Sequence, residues 1–392
     1  MRMHWLTGCL AACAIGGAPA CADDTAAGIE IVTVAEATDE HPRHSEGSAV
    51  ELKDGSLLLV WQEFSPGSGD SDFFPSRLAA RTSRDGGRTW GDHRVLVETR
   101  PGDVNVFSPN LLRLPDGTIL FCFMRYESFD KAKNKYPPTS AEAWLSRDEG
   151  RTFEPLAHVW QTNMNAFASS VIKRAASGRI LLPVNRDLSE RGQNDHWEGG
   201  LVYSDDGGRT WTESDGWVDL PMRGAMESHV DELRDGRLLM VMRTQLGAVF
   251  QAESPDGGRT WSKPQTTGLR SPESCPDLVR IPGSSDLLLV WNNSPYDPKH
   301  YSHFGKRTPL SVAISRDDGR TWGNIRDIET DPGWAFSNPG CCFTSQRTVL
   351  INYWACRYQE SGAMSNFPIH LKAAIVDLDW LYGSTPAGPS DR

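Results

Sequence analysis

The 392-residue chain predicts an all-β fold, a six-bladed β-propeller with four-stranded antiparallel blades. Three observations carry that expectation. An octapeptide, Ser-x-Asp-x-Gly-Arg-Thr-aromatic, occurs five times, at Ser83 to Trp90, Ser146 to Phe153, Ser204 to Trp211, Ser254 to Trp261 and Ser315 to Trp322. Between the copies recurs an apolar run, a tight turn and a second apolar run, which reads as an antiparallel pair of short strands. No stretch shows helical periodicity of useful length.

Each element follows in chain order. The first 22 residues carry Arg2 near their start, run apolar from Trp5 to Ala18 and end in Ala20-Cys21-Ala22, which fits a secretory signal peptide cleaved after Ala22. Ile29 to Val34 reads as a strand, the natural partner for the segment His370 to Leu381. Hairpins then centre on Asp54-Gly55, Asp116-Gly117, Ser177-Gly178, Asp235-Gly236, Pro282 to Asp286 and Thr344 to Thr348. Six hairpins against five octapeptides leave the last blade short of a strand, so Ile29 to Val34 is expected to close the ring. Residues 23 to 382 form one domain on this reading, with 383 to 392 a polar tail.

The octapeptides themselves read as structure. Their aspartates, Asp85, Asp148, Asp206, Asp256 and Asp317, lie 50 to 63 residues apart, a spacing that marks tandem units. The carboxylate can accept bonds from nearby backbone N–H groups, Gly permits positive φ, and the aromatic ring packs inward to pin the turn.

Composition excludes several classes of function. The formal net charge is −11, or −12 once the signal and its one Arg are removed, and no basic tract interrupts it, which argues against nucleic acid or an anionic membrane surface as partner. Beyond the signal no run approaches the roughly 20 apolar residues of a membrane span, so a periplasmic or extracellular address is expected. Five cysteines remain, Cys122, Cys275, Cys341, Cys342 and Cys356; buried apolar packing is the expectation, with one bridge between Cys341 and Cys356 as an option. No metal-ligand spacing appears, and neither a metal nor a cofactor is assigned.

In a blade hairpin, the start of the first strand and the end of the second lie together, away from the turn. Counting from each turn glycine gives mouth-facing pairs Glu46 and Gln62, Ser108 and Met124, Ser169 and Asn185, and Glu227 and Arg243, with Arg125 and Arg186 following two of them. Acids, arginines and amides around one rim suit a polar ligand such as carbohydrate. Glu227 and Arg243 could pair directly and hold each other's geometry.

At these residues the chain resembles the sialidase (neuraminidase) superfamily, six-bladed propellers that carry the same octapeptides as Asp-boxes. Met226-Glu227-Ser228-His229 with Met242-Arg243 looks like the segment supplying that family's nucleophile-activating glutamate and one arginine of its carboxylate-binding triad. Arg307, in Lys306-Arg307-Thr308-Pro309 ahead of an Asp-box, matches a second triad arginine, and Asp72, with Asp70 beside it, falls where the family keeps its acid/base aspartate. Two positions depart from the pattern. The first-blade arginine is represented only by Arg43, slightly out of register, and Phe336 stands where the tyrosine nucleophile is expected.

The resemblance implies an exo-glycosidase hydrolysing a terminal acidic sugar, sialic acid or a relative, from a glycan. Arg243 and Arg307 would clamp its carboxylate, with Arg43 as the substitute third arginine, and the rim residues Glu46, Arg125 and Arg186 are further substrate-binding candidates. Asp72 would protonate the leaving oxygen or direct water, and Glu227 would act as base or tune a nucleophile. Tyr126, Tyr353 or Tyr358 could replace the missing tyrosine, or Glu227 could activate water directly. Two other classes fit the same rim: a uronate-polysaccharide lyase using a tyrosine or one of His41, His44 and His229 as base, and a glycan-binding propeller without catalysis.

Overall fold

The computed structural model describes residues 28–67, 71–128, 136–188, 192, 195–299, 303–365 and 367–383. The expected signal peptide, Asp70 and almost all of the polar tail lie outside them. The described strands form six antiparallel sheets, each the blade of a six-bladed propeller. Blade one is Arg43–Glu51, Leu57–Phe64, Ser76–Ser83 and Gly91–Val97, and the order repeats through Asn105–Arg113, Met226–Glu232 and Asp277–Arg280 as inner strands of blades two, four and five. In blade three the inner strand is split into Asn165–Ala166 and Lys173–Arg174, both paired with Ile180–Asp187.

The ring closes as the hairpin count requires. Ile29–Ala35 pairs antiparallel with His370–Asp377, Ile29 opposite Val376 and Val32 opposite Ala373, so the first strand of the chain completes the sheet of the last hairpin. Apolar residues of the middle strands, Leu57 to Trp61, Ile119 to Met124 and Leu287 to Trp291 among them, fill the space between blades. These strands are covered on both faces, which is why their apolar runs are continuous and do not alternate. Among the described residues the single α-helix is Leu378–Leu381, and no helix is long and apolar enough to cross a membrane.

The Asp-boxes do structural work. In the first, Asp85 accepts from Ser83 Oγ (2.8 Å), Thr89 N (2.9 Å) and Thr89 Oγ1 (2.6 Å), while Gly87 N donates to Ser83 Oγ and Trp90 Nε1 to the Gly87 carbonyl. Desolvation opposes ionisation, but these donated bonds outweigh it and bring Asp85 down to about 2. Gly87 is required twice over: its φ is 101°, and a Cβ there would come within 2.8 Å of Leu350 of the neighbouring blade.

All five cysteines are buried free thiols, and the optional bridge is absent. Cys341 pairs across from Ile351 and Cys356 across from Ala335, so the two sit at opposite ends of one hairpin, out of disulfide reach.

Asp85→Ala leaves several donors of one turn unsatisfied and is expected to destabilise the protein by about 2 kcal/mol. A thermal melt of the variant beside wild type checks this, with the melting temperature falling by a few degrees.

Candidate active site at the propeller mouth

One backbone device sets the mouth residues on the axis. The inner strands of blades one, two, four and six each carry a bulge near their start, where the register slips between Ser45 and Ser48, Phe107 and Asn110, Met226 and His229, and Ser337 and Gly340. At each bulge one residue is left-handed: Glu46 (φ 56°), Ser108 (54°), Glu227 (43°) and Asn338 (51°). A non-glycine residue in this region is held there by its surroundings at a conformational cost, and such positions concentrate at functional sites. Ser170, at φ 63°, occupies the matching place in blade three, one residue beyond the expected Ser169.

The bulge also changes which second-strand residues reach the mouth. Gln62, Met124 and Asn185 are buried between blades: Gln62 donates to Ser76 Oγ, Met124 Sδ accepts from Phe167 N, and Asn185 donates to the Ala225 carbonyl. Arg243 alone of these four faces the centre, where it donates to Glu227 at 2.7 Å and to Glu273 at 3.0 Å.

Arg125 and Arg186, expected at the rim, are taken up within their own blades. Arg125 pairs with Glu142 at 2.9 Å, and Arg186 pairs with Glu198 and lies over the Trp217 ring. Successive strand residues alternate faces, so each arginine points away from its predecessor, toward a carboxylate on the next strand.

The structure brings Arg43, Glu46, Asp72, Glu227, Arg243 and Arg307 into mutual electrostatic reach. Arg43 Nη1 bonds Asp72 Oδ1 at 2.6 Å, its Nε donates to Ser45 Oγ, and its guanidinium packs over Phe64. The short helical turn Ser71–Phe73 is fixed from blade two, where Asn105 Nδ2 donates to the carbonyls of Asp72 and Phe74. The Asp72 side chain is 62% exposed at the open mouth. Desolvation pushes its carboxyl up, but the Arg43 charge and hydrogen bond, then Arg307 and Arg243, hold it below the ordinary aspartate range. The arginines of the mouth thus favour the charged form of Asp72.

Glu46 differs. Burial, the facing charge of Glu227 and, more weakly, Asp72 push its carboxyl up to about 7, against the opposing pull of Arg43 and the Asn338 hydrogen bond. Its two oxygens are fixed from other blades, Oε1 by Asn338 Nδ2 at 2.8 Å and Oε2 by Ser169 Oγ at 3.3 Å.

Glu273 is the residue that sequence reading missed. It is 3% exposed and gathers Arg243, Arg223 and Gln245, the last at 3.0 Å, while its carbonyl accepts from Arg307 Nη2. Desolvation works against its charge, but Arg243 and Arg223 keep it below the usual glutamate range. The signal was available: Glu273-Ser274 starts blade five as Glu227-Ser228 starts blade four. Arg223 was also missed; it bonds Asp195 and the Tyr136 hydroxyl, beside Gly224, where a Cβ would lie 1.9 Å from the Trp197 carbonyl oxygen.

Arg307 is the unbalanced charge of the site. It is 4% exposed, its Nε has no hydrogen-bond partner, and among the described residues no carboxylate lies within ion-pair distance. Desolvation and the neighbouring Arg243 both disfavour its charge. A buried guanidinium in this position is stabilised by an anion.

The tyrosines and histidines sort by contact. Phe336 is buried, edge-on to Tyr353, and the buried Tyr353 reaches from blade six to blade five, where its hydroxyl donates to Glu329 at the end of the outer strand Gly323–Glu329. The Tyr358 hydroxyl accepts from Arg307 N at 2.6 Å. Tyr126, stacked on Phe107, lies in the field of Asp72, Glu46 and Glu227, and burial pushes its hydroxyl well up. His41 and His44 gather around Glu63, burial bringing His44 down to about 4, while His229 is fully buried with Nδ1 on Asp277 at 2.8 Å.

The fold and this axial array of arginines and carboxylates define an Asp-box propeller of the sialidase superfamily. The family model described as a BNR repeat-like domain matches residues 108–351, and the chain belongs to that family. Among curated relatives, the anhydrosialidase of Macrobdella decora is 28% identical over 256 residues, 61% of this chain and 30% of that protein. The sialidase of Micromonospora viridifaciens is 26% identical over 278 residues, 63% of this chain and 40% of that one. The aligned region thus spans less than half of either relative. Two solved structures, a protein of unknown function from Dyadobacter fermentans and a Hadza microbial sialidase, both superpose with a TM-score of 0.69 at 21% and 19% identity. Each covers 89% of this chain, and the chain covers 99% and 69% of them respectively, a likeness of fold.

The two arginines should respond oppositely to removal. Arg243→Leu strands Glu227, takes one of two arginines from Glu273 and is expected to cost about 3–5 kcal/mol, whereas Arg307→Leu removes a charge without an ion-pair partner and should be neutral or stabilising. Denaturant unfolding of the two variants checks the contrast.

Proposed function

We propose that this protein is a sialidase-like exo-glycosidase that hydrolyses a terminal acidic sugar, sialic acid or a close relative, from a glycan. The single observation that carries the reading is Arg307, a buried guanidinium lacking a carboxylate and repelled by Arg243, with Arg43 on the other side of the same mouth. A substrate carboxylate supplies the anion that Arg307 lacks, and planar bidentate contact favours it over a simple point charge. The sialidases among its relatives support the substrate class.

Phe336 in place of tyrosine and the burial of Tyr353 support direct attack by water over a covalent tyrosyl intermediate. In that scheme Glu227, fixed by Arg243, takes the proton of a water molecule as it bonds to the anomeric carbon. Asp72, ionised against Arg43, helps orient that water. Arg43, Arg243 and Arg307 fix the ring by its carboxylate, so that binding energy is converted into orientation. The histidines weigh against the lyase reading: His41 and His44 are engaged with Glu63, and His229 is enclosed with Asp277.

Glu227→Gln keeps the shape of the side chain and removes the base. Its turnover of a fluorogenic sialoside should fall by about 10²–10⁴-fold with an unchanged melting temperature. Unchanged turnover, or binding without turnover by wild type across acidic glycosides, counts against the hydrolase assignment.

A further inference from the structure

We infer that Glu46 is the proton donor of this site, delivering its proton to the leaving-group oxygen from the side of the axis facing Glu227. The inference rests on the glycosidase reading and deepens it. Glu46 on blade one and Glu227 on blade four start opposed inner strands of a six-membered ring, and both are turned inward by left-handed bulges. Acid and base on opposite sides of one sugar are the arrangement a single displacement needs.

The surroundings of Glu46 suit a neutral carboxyl. From its own strand it faces Arg43, from the following loop Asp72, from blade two Tyr126, and from blade four Glu227. Blade five contributes the Cys275 thiol, itself kept protonated by burial, while blades three and six contribute the Ser169 and Asn338 hydrogen bonds. Two carboxylates thus oppose a third charge, and among the described residues no guanidinium lies within ion-pair distance of Glu46, whereas Glu227, Asp72 and Glu273 each hold one directly. The protonated member of a carboxyl group cluster is the one without a cationic partner.

The step balances without another reactant. The Glu46 proton passes to the glycosidic oxygen, the C–O bond breaks with its electron pair on that oxygen, and water bonds to the anomeric carbon as it loses a proton to Glu227. Glu46 is left as carboxylate and Glu227 as acid, and exchange through solvent returns the proton.

The test compares two leaving groups. With 3′-sialyllactose, whose leaving alkoxide needs protonation, Glu46→Gln should lose about 10²–10³-fold in kcat/KM, but with the 4-methylumbelliferyl sialoside less than about tenfold. The donor must carry its proton, so wild-type activity falls as pH rises through about 7, a limb that Glu46→Gln lacks and Asp72→Asn keeps. Equal losses on both substrates, or an alkaline limb retained in Glu46→Gln, overturn the assignment. An infrared difference titration, wild type minus Glu46→Gln, reads the same carboxyl without turnover, and absence of a protonated band below about pH 7 also overturns it. Wild type that cleaves neither substrate removes the hydrolase reading and the donor role with it, while the titration still reports whether Glu46 holds the proton.

Discussion

The left-handed bulge at the start of an inner strand is the constraint on which the site depends. A regular antiparallel pair would turn alternate side chains into the packing between blades, where Gln62, Met124 and Asn185 lie. One extra residue per strand breaks that alternation and swings Glu46, Ser108, Glu227 and Asn338 toward the axis. The strain is tolerated because the next residues re-enter a sheet buried on both faces. The rigid blades therefore hold strained side chains in place, and six blades placed around one axis point those side chains at a single small volume.

That volume is governed by a count of charges. Arg243 is matched by Glu227 and Glu273, and Arg43 by Asp72, while among the described residues Arg307 has no carboxylate within ion-pair distance and contacts the Glu273 carbonyl and the Trp354 ring. The carboxyls show the complementary imbalance, since Glu46 has amide and hydroxyl partners in place of a guanidinium. An arriving carboxylate compensates Arg307 and at the same time adds to the negative field that keeps Glu46 protonated. Ligand binding and protonation of Glu46 thus favour each other.

Much of the fold was legible because its signals are local. The octapeptides carry their own hydrogen-bond network within eight residues, and the Asp-Gly turns fix hairpin register, so blade number and ring closure followed from counting. Glu227, Arg243, Arg307, Arg43 and Asp72 were placed by spacing or by family resemblance, and they meet in one mouth. The fates of Arg125 and Arg186 were not legible, since a strand residue's role depends on the carboxylate opposite, and Glu142 and Glu198 are partners only in the folded sheet. Glu273 escaped because its importance lies in bringing Arg223, Arg243 and Arg307 together across two blades. The Cys341 to Cys356 bridge was proposed from proximity in sequence, whereas in an extended hairpin residues so spaced are held far apart.

The two departures from the sialidase pattern belong to one rearrangement. Phe336 is buried against Tyr353, and Asn338 two residues on turns its amide to Glu46. Arg43 enters from an earlier position in its strand and forms an ion pair with Asp72. In the proposed mechanism the neutral carboxyl is Glu46, which stands near Arg43 and is bonded to Asn338 of blade six. In that mechanism the buried Phe336, the shifted Arg43 and a proton-holding Glu46 follow the same electrostatic logic: water takes the place of tyrosine in the attack, and the acid stands across the axis from the base.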